Sequence, residues 1–366
     1  MPEPDERRRL IVVFGGRSAE HEVSCTSARH VLAAIDTNRY DVSVVGIRRD
    51  GTWVRAEAAE KMLAAGPAAL PAHLDAEGPD LDLLPMLAAE SVPSSAGASP
   101  TVVFPVLHGP YGEDGTIQGL LEMADVAYVG TGVLGSALAM DKMAAKDVFE
   151  ARGIPQTVWR GFHVDDLSPA VEQRIVDELG LPVFVKPANM GSSVGVSRAG
   201  SVSEFRGALE LAAQYDEWIV VEEAVEGREI ECSVLGNREP VASLPGEIRP
   251  AADFYDYADK YLAGAAELLI PAPLDDAVVA ELQALAIRAY QALRCEGLAR
   301  VDFFYDEAAG RLLVNEINTM PGFTPISMYP KMWAASGLDY PALIDRLVDL
   351  AIERHARRAG HRRTDR

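Results

Sequence analysis

The chain has 366 residues, more than one core usually organises, since cores stop growing near about 250 to 300 residues and domains commonly hold about 100 to 200. Two or three domains are expected. Hydrophobic residues make up 48% and charged residues 24%, a globular mix that excludes wholesale disorder, a collagen-like repeat and a long coiled coil. Acidic residues outnumber basic ones by 55 to 34, and the formal charge of −21 repels phosphate backbones and anionic bilayers, so neither nucleic acid nor membrane is an expected partner.

In chain order, the apolar run Leu10 to Phe14 ends at Gly15 and Gly16, and a polar stretch leads to a helical pattern near Ser27 to Ile35 and a second apolar run, Val42 to Ile47. That is strand, loop, helix, strand. Residues 64 to 100, rich in Ala, Pro, Asp and Ser, predict helical pieces among irregular connections. A third strand, Thr101 to Leu107, closes at His108. The alternation predicts a small parallel sheet with ligand-binding loops at its strand C-termini, where His108 and the Gly15 to Glu22 loop both sit.

A helical stretch from Leu134 to Ala151 carries Lys142 and Lys146, and from Pro182 short strands dominate. Strands Val183 to Lys186, Val194 to Ser197 and Trp218 to Glu223 surround a helix near Ser203 to Tyr215, a second, α+β unit. The third unit has strands near Glu229 to Leu235 and Val241 to Glu247, a polar aromatic loop from Arg249 to Gly264, and a helix near Asp275 to Arg294. Strands Ala299 to Tyr305 and Arg311 to Ile317 and a helix near Pro341 to Arg354 complete it. From Arg354 the chain is Arg-rich without apolar periodicity, which reads as a frayed, solvated tail. The expected division is an N-terminal α/β domain over 1–130, a central unit over 131–221, a C-terminal unit over 222–356 with a lid at 249–264, and a disordered basic tail at 357–366.

Cys25, Cys232 and Cys295 stand far apart with no C-x-x-C pair, which suits a reducing compartment and argues against a disulfide scaffold or structural zinc. No apolar stretch reaches the roughly 18 residues of a membrane span, and the charged start lacks a signal-peptide core. The expectation is a soluble cytoplasmic protein.

Two motifs match better in letters than in context. Gly130, Gly132 and Gly135 satisfy the dinucleotide fingerprint, but the next strand candidate, Thr157 to Phe162, offers Arg160 where a ribose-binding acid is needed. These glycines read as a tight inter-domain turn. Gly191, Ser193 and Gly195 match a nucleophile elbow, yet an extended segment follows in place of a helix, and the only later histidines, His355 and His361, lie in the tail.

The stronger pattern starts at Lys186, a cation at a strand end followed by a loop of Gly191, Ser192, Ser193 and Gly195. Successive N–H groups, two hydroxyls and an ammonium can wrap an anion. Arg300 and Asp302 share one face of a strand, as do Glu316 and Asn318 on the neighbouring one. Asp302, Glu316 and Asn318 converge as oxygen ligands suited to Mg²⁺ and a phosphorylated substrate. Glu222 and Glu223 close a strand where the second unit passes into the third, a place for backbone to read an adenine edge. The aromatic loop around Tyr261 reads as a lid.

Taken together, these residues resemble the D-alanine–D-alanine ligases of the ATP-grasp superfamily. The resemblance runs from Val12 to about Ile352 through six ordered blocks: residues 14–24, 108–115, 140–142, the Lys186 loop, 255–261 and 315–324. It implies an N-terminal parallel-sheet α/β domain followed by a two-subdomain ATP-grasp fold that clamps ATP. The implied chemistry is phosphorylation of one D-alanine carboxylate by ATP, then attack of a second D-alanine amine on the acyl phosphate, for peptidoglycan precursor synthesis. By motif, Lys142 and Lys186 would hold phosphates with Ser192 and Ser193 in the loop. Glu222 and Glu223 would meet the adenine and Glu229 the ribose, and Lys260 would reach the transferring phosphoryl group. Asp302, Glu316 and Asn318 would hold two Mg²⁺ ions, for which Mn²⁺ could substitute. Glu20, with His108 nearby, would pair with the first ammonium, and Ser327 would bind the second carboxylate. Arg300 and the Gly322 N–H would stabilise the oxyanion, and Ser192 and Tyr261 would hydrogen-bond with Glu20. The resemblance also suggests a homodimer and leaves room for a monovalent cation. A D-alanine–D-lactate ligase of the same fold and a silent nucleotide-binding regulator are the alternatives. Tyr261 favours the amine over a hydroxy acid, because the depsipeptide-forming relatives commonly carry a His-bearing loop there.

Overall fold

A computed structural model describes residues 7–82, 85–87, 100–249 and 267–361. Lys260, Tyr261 and the expected lid beyond Arg249 fall outside the described residues, as do residues 362–366 of the expected tail.

The first sheet is built from β1 (Arg8–Gly15), β2 (Tyr40–Ile47), β3 (Trp53–Arg55), β4 (Val102–Pro105) and β5 (Ala127–Tyr128), in spatial order β3-β2-β1-β4-β5. All pairs are parallel except the edge pair β2 and β3. The apolar run of β1 is unbroken because both its faces are covered. Leu10, Val12 and Phe14 pack with Ala28, Val31 and Leu32 of α1 (His21–Ala34), while Ile11 and Val13 pack on the other side with Ile117 and Leu121 of a helix at Thr116–Met123.

Helix α1 begins at His21, six residues before the helical pattern expected at Ser27. The stretch is polar because its side chains are buried hydrogen-bonders. His21 Nδ1 lies 2.7 Å from Gly16 O, Ser24 Oγ accepts from Gly15 N–H at 2.8 Å, and Ser27 Oγ lies 3.0 Å from His108 Nε2. The expected helix from Leu134 to Ala151 is two helices, Val133–Met140 and Lys142–Ala151. Asp141 divides them by accepting from Ala144 N–H at 2.9 Å as a new N-cap.

The second sheet comprises β6 (Trp159–His163), β7 (Val183–Pro187), β8 (Ser197–Ala199) and β9 (Trp218–Glu223), antiparallel in order β6-β9-β7-β8. Helices Pro169–Leu179 and Val202–Ala212 cover one face through Ile175, Phe205 and Leu209. The strand expected at Val194 starts only at Ser197, because Ser192, Ser193 and Gly195 take positive φ and coil the loop.

In the third sheet, β10 (Arg228–Gly236), β12 (Gly246–Arg249), β13 (Glu267–Leu269), β14 (Gly297–Asp306) and β15 (Arg311–Asn318) run in order β13-β12-β10-β14-β15, with β11 (Val241–Ala242) beside β10. The single strand expected over Val241 to Glu247 is split between β11 and β12, and Pro245 between them has no N–H to give a ladder. The helix Asp276–Ala292 packs Leu282, Leu285 and Tyr290 against Ile230, Val234 and Val301.

The last helix, Tyr340–Ala359, lays Leu343, Leu347 and Val348 against the core of the first sheet. The frayed tail expected from Arg354 is not found through Ala359. Arg354 is 3% exposed and donates to Tyr128 O at 2.8 Å and to Gly130 O, while Arg357 and Arg358 pair with Glu296 and Glu122. Polar partners on three other segments replace the apolar periodicity that a sequence pattern needs.

Candidate active site

A cleft of about 620 Å³ opens where the three sheets meet. Glu20 enters it from the start of α1, His108 from beyond β4, Lys142 from a helix start and Ser192 from the loop after β7. Arg300 of β14, Glu316 and Asn318 of β15, and Gly322 and Ser327 beyond them complete its wall. Residues more than 300 positions apart, Glu20 and Ser327, are thus brought together. Lys186, Ser193, Glu222, Glu223, Glu229 and Asp302 do not line this cleft.

Glu20 is buried, and Ser192 donates a hydrogen bond to its carboxylate. Two glycines make that possible. A Cβ on Gly109 would lie 2.4 Å from Glu20 Oε2, and one on Gly191 would lie 2.8 Å from it, so backbone closes on both sides of the carboxylate as no larger residue would allow. His108 Nδ1 lies 2.9 Å from Met320 O; facing a carbonyl, it carries the proton, and Nε2 accepts from Ser27. Burial pulls His108 below the ordinary histidine value, against the pull of Glu20, and favours the neutral ring. Glu113 accepts from Gly109 N–H at 2.9 Å and Met320 N–H at 3.0 Å. Burial first, and Glu20 second, push its carboxyl up to about 8, against those two donors and Arg300.

Arg300 and Asp302 face Asn318 and Glu316 across the β14–β15 ladder. Arg300 donates to both Asp302 oxygens, at 2.7 and 2.6 Å, and its Nε lies 3.1 Å from Glu231. Burial alone would lower its pKa; Asp302 and Glu231 overcome that and hold it firmly charged. Asn318 donates to Asp302 Oδ2 at 2.9 Å. Two carboxylates and an amide on facing strands form an all-oxygen donor set, which fits a hard divalent cation. The register shifts after Asp302, leaving Asn315 without a ladder partner. This β-bulge aims Asn315 at Lys186, whose Nζ is 3.4 Å from Asn315 Oδ1.

Behind this wall lies a cluster only half seen in the sequence. Glu222 and Lys146 are each 2% exposed. Lys146 sits 3.1 Å from Glu222 Oε2, Lys186 sits 3.0 Å from Oε1, and Thr157 donates to Oε2 at 2.7 Å. The Lys186 approach is close but off-line, so Oε1 lacks an aligned donor. Burial would raise the Glu222 carboxyl; the two ammonium groups hold it well below the usual carboxylate range. Burial draws Lys146 below its ordinary value despite Glu222, with Lys186 adding repulsion. Lys146 was legible only as the residue one helical turn after Lys142, on the same face. Lys142 itself donates to Met190 O at 2.6 Å and stands 3.8 Å from Glu316. The Glu223 carboxylate accepts from Val158 N–H at 2.9 Å, Glu229 lies half-buried in β10 opposite Phe304, and Ser193 holds φ at +59° in the coiled loop.

A parallel α/β sheet whose strand ends feed a charged cleft beside two antiparallel sheets is the ATP-grasp arrangement. Residues 9–131 match the family described as D-ala D-ala ligase N-terminus, and residues 148–349 match D-ala D-ala ligase C-terminus. A D-alanine–D-alanine ligase of Mycolicibacterium smegmatis is 50% identical over 96% of this chain and 97% of its own. One of Acetivibrio thermocellus is 44% identical with the same coverage. The solved D-alanine-D-alanine ligase of Coxiella burnetii superposes with a TM-score of 0.80 at 38% identity, covering 97% of this chain and 96% of that one. The D-Ala:D-Ser ligase of Enterococcus faecalis also gives 0.80, at 35% identity over 94% and 99%. The chain belongs to the D-alanine–D-alanine ligase family.

Proposed function

We propose that this chain joins two D-alanines to D-alanyl-D-alanine at the expense of ATP, and that the central cleft does the chemistry. The observation that carries the reading is the meeting of Glu20, gripped by Ser192 and two glycines, with the charged Arg300 in one cleft. A carboxylate and a firmly charged cation lining the same cleft suit the ammonium and the carboxyl of one amino acid. In this reading Glu20 anchors the first ammonium with His108 beside it, and Lys142 and Lys186 draw the ATP phosphates toward the first carboxyl. Glu222, Glu223 and Glu229 belong to the adenosine end, Ser192 and Ser193 to the loop over the phosphates, and Lys260 to the lid.

Transfer of the terminal phosphoryl group leaves an acyl phosphate. Ser327 then holds the carboxylate of the second D-alanine while its amine attacks. Charge on the carbonyl oxygen meets Arg300 and the Gly322 N–H, and phosphate leaves. Tyr261 closes over Glu20 with the lid. Two Mg²⁺ ions held by Asp302, Glu316 and Asn318 would supply neutralising charge at the phosphate oxygens. The same reading carries the domain division at 130, 221 and 356, a homodimer and a cytoplasmic location; among the described residues no helix is long and apolar enough to cross a membrane.

The test is phosphate release from ATP and Mg²⁺ with D-alanine, with L-alanine, and with D-alanine plus D-lactate, products identified by mass. D-alanyl-D-alanine with L-alanine inert is the expected result. Dominant depsipeptide would move the second substrate to a hydroxy acid, and tight ATP binding without turnover would leave a silent regulator.

A further inference from the structure

Met320 is gripped from two sides by the loop that leaves β4. Its N–H donates to Glu113 Oε2 at 3.0 Å, and its C=O accepts from His108 Nδ1 at 2.9 Å. The other Glu113 oxygen takes the Gly109 N–H at 2.9 Å. Three residues on, Phe323 N–H points at Ser27 Oγ at 3.4 Å, and the same hydroxyl serves His108 Nε2 at 3.0 Å. Residues 320 and 323 are thus both pinned to the N-terminal domain, and Pro321 and Gly322 are strung between them. Proline fixes its own φ, so little slack separates the pinned Met320 peptide from the Gly322 N–H. Glu113 is 9% exposed and lines the same cleft as Arg300 and Gly322.

Resting on the Gly322 role proposed above, we propose that Glu113 is a positioning residue for acyl transfer. By tying the Met320 peptide to the Gly109 peptide, it sets where the Gly322 N–H meets the developing oxyanion. Such a donor works only within about 2.7 to 3.1 Å of the place where the charge appears. The pinning also couples the sites, because the loop that surrounds Glu20 is the loop that places Gly322. A side chain with two acceptor oxygens is required, since each oxygen takes one N–H bond. A glutamine amide has one acceptor oxygen and would turn its NH₂ toward the other donor.

The experiment is Glu113→Gln in the full chain, read by steady-state kinetics, ATP affinity and affinity for a phosphinate dipeptide that mimics the tetrahedral intermediate. A misplaced donor lowers kcat roughly ten- to a hundred-fold. ATP affinity should stay within about two-fold of wild type, and the phosphinate should weaken by the factor lost in kcat/KM. Unchanged kcat, or lost turnover with undiminished phosphinate binding, overturns the proposal. If Glu113→Gln shows no cooperative unfolding, Ser27→Ala decides, since it removes the hydroxyl that pins Phe323. A smaller fall in kcat matched by weaker phosphinate binding supports the proposal, and an undiminished phosphinate affinity overturns it. Wild-type protein that makes no dipeptide would overturn the ligase reading, and this proposal with it.

Discussion

Glu222 shows how a single carboxylate can be placed by sequence and explained only by its neighbours. Its position at the end of a strand between two units marks it for the nucleotide, yet its side chain turns inward to Lys146, Lys186 and Thr157. A buried carboxylate is costly without compensation, and here two ammonium groups share it. The grip is uneven: Lys186 is off-line and at the start of the glycine-serine loop, whereas Lys146 is locked with Thr157 at 3.0 Å. Under the proposed function, Lys186 would turn to a phosphate while Lys146 stays paired with Glu222. Lys146→Met should therefore destabilise the fold by about 3 to 5 kcal/mol, the usual cost of stripping a partner from a buried charge. Urea denaturation checks this, and a loss below about 1 kcal/mol would mean that Lys186 alone suffices. Nothing in the sequence separated Lys146 from the other helix lysine, because burial is a property of what packs over it.

At the scale of elements, most strands and long helices were legible, because a parallel sheet covered on both faces must spell continuous apolar runs and a half-buried strand must alternate. β14 does so from Ala299 to Asp306, with each inward residue buried and Arg300, Asp302 and Phe304 less so. Elements held by polar contacts were misjudged. The first turns of α1 hid behind buried Ser and His, and the last turns of the closing helix behind arginines. Arg354 shows the strength of that second anchor, since it donates to two buried carbonyls and stacks 4.1 Å from the Tyr128 ring centroid. Arg354→Ala orphans both carbonyls at about 1 to 3 kcal/mol each and removes the stacking. A fall in thermal midpoint of several degrees is expected, with the helix signal in far-ultraviolet circular dichroism retained. An unchanged midpoint would show that the apolar face of the helix alone secures it.

Across the whole molecule, the cleft gathers acids in an already acidic chain, and stability should show it. The fold raises the Glu113 carboxyl from the ordinary 4.5 to about 8, so the folded state favours the protonated form. The stability from this group is therefore complete below pH 4.5, declines as the pH climbs, and is gone above about 8. Urea midpoints measured from pH 5 to 8 should fall more steeply for wild type than for Glu113→Gln, which cannot ionise. Parallel slopes would mean that other groups carry the pH dependence.

The sequence by itself determined the order of units, the parallel character of the first sheet, the glycine-serine loop after Lys186 and the shared strand faces of Arg300 with Asp302 and of Glu316 with Asn318. All of these follow from local periodicity, strand parity or short motifs. Tertiary structure decided which charges pair, because distance across the fold is invisible along the chain. It put Gly109 and Gly191 against Glu20, Lys146 against Glu222, Arg354 against Tyr128 and Glu113 against Met320. Each of these contacts joins segments tens to hundreds of residues apart, and it is burial at their meeting that turns ordinary polar residues into a site.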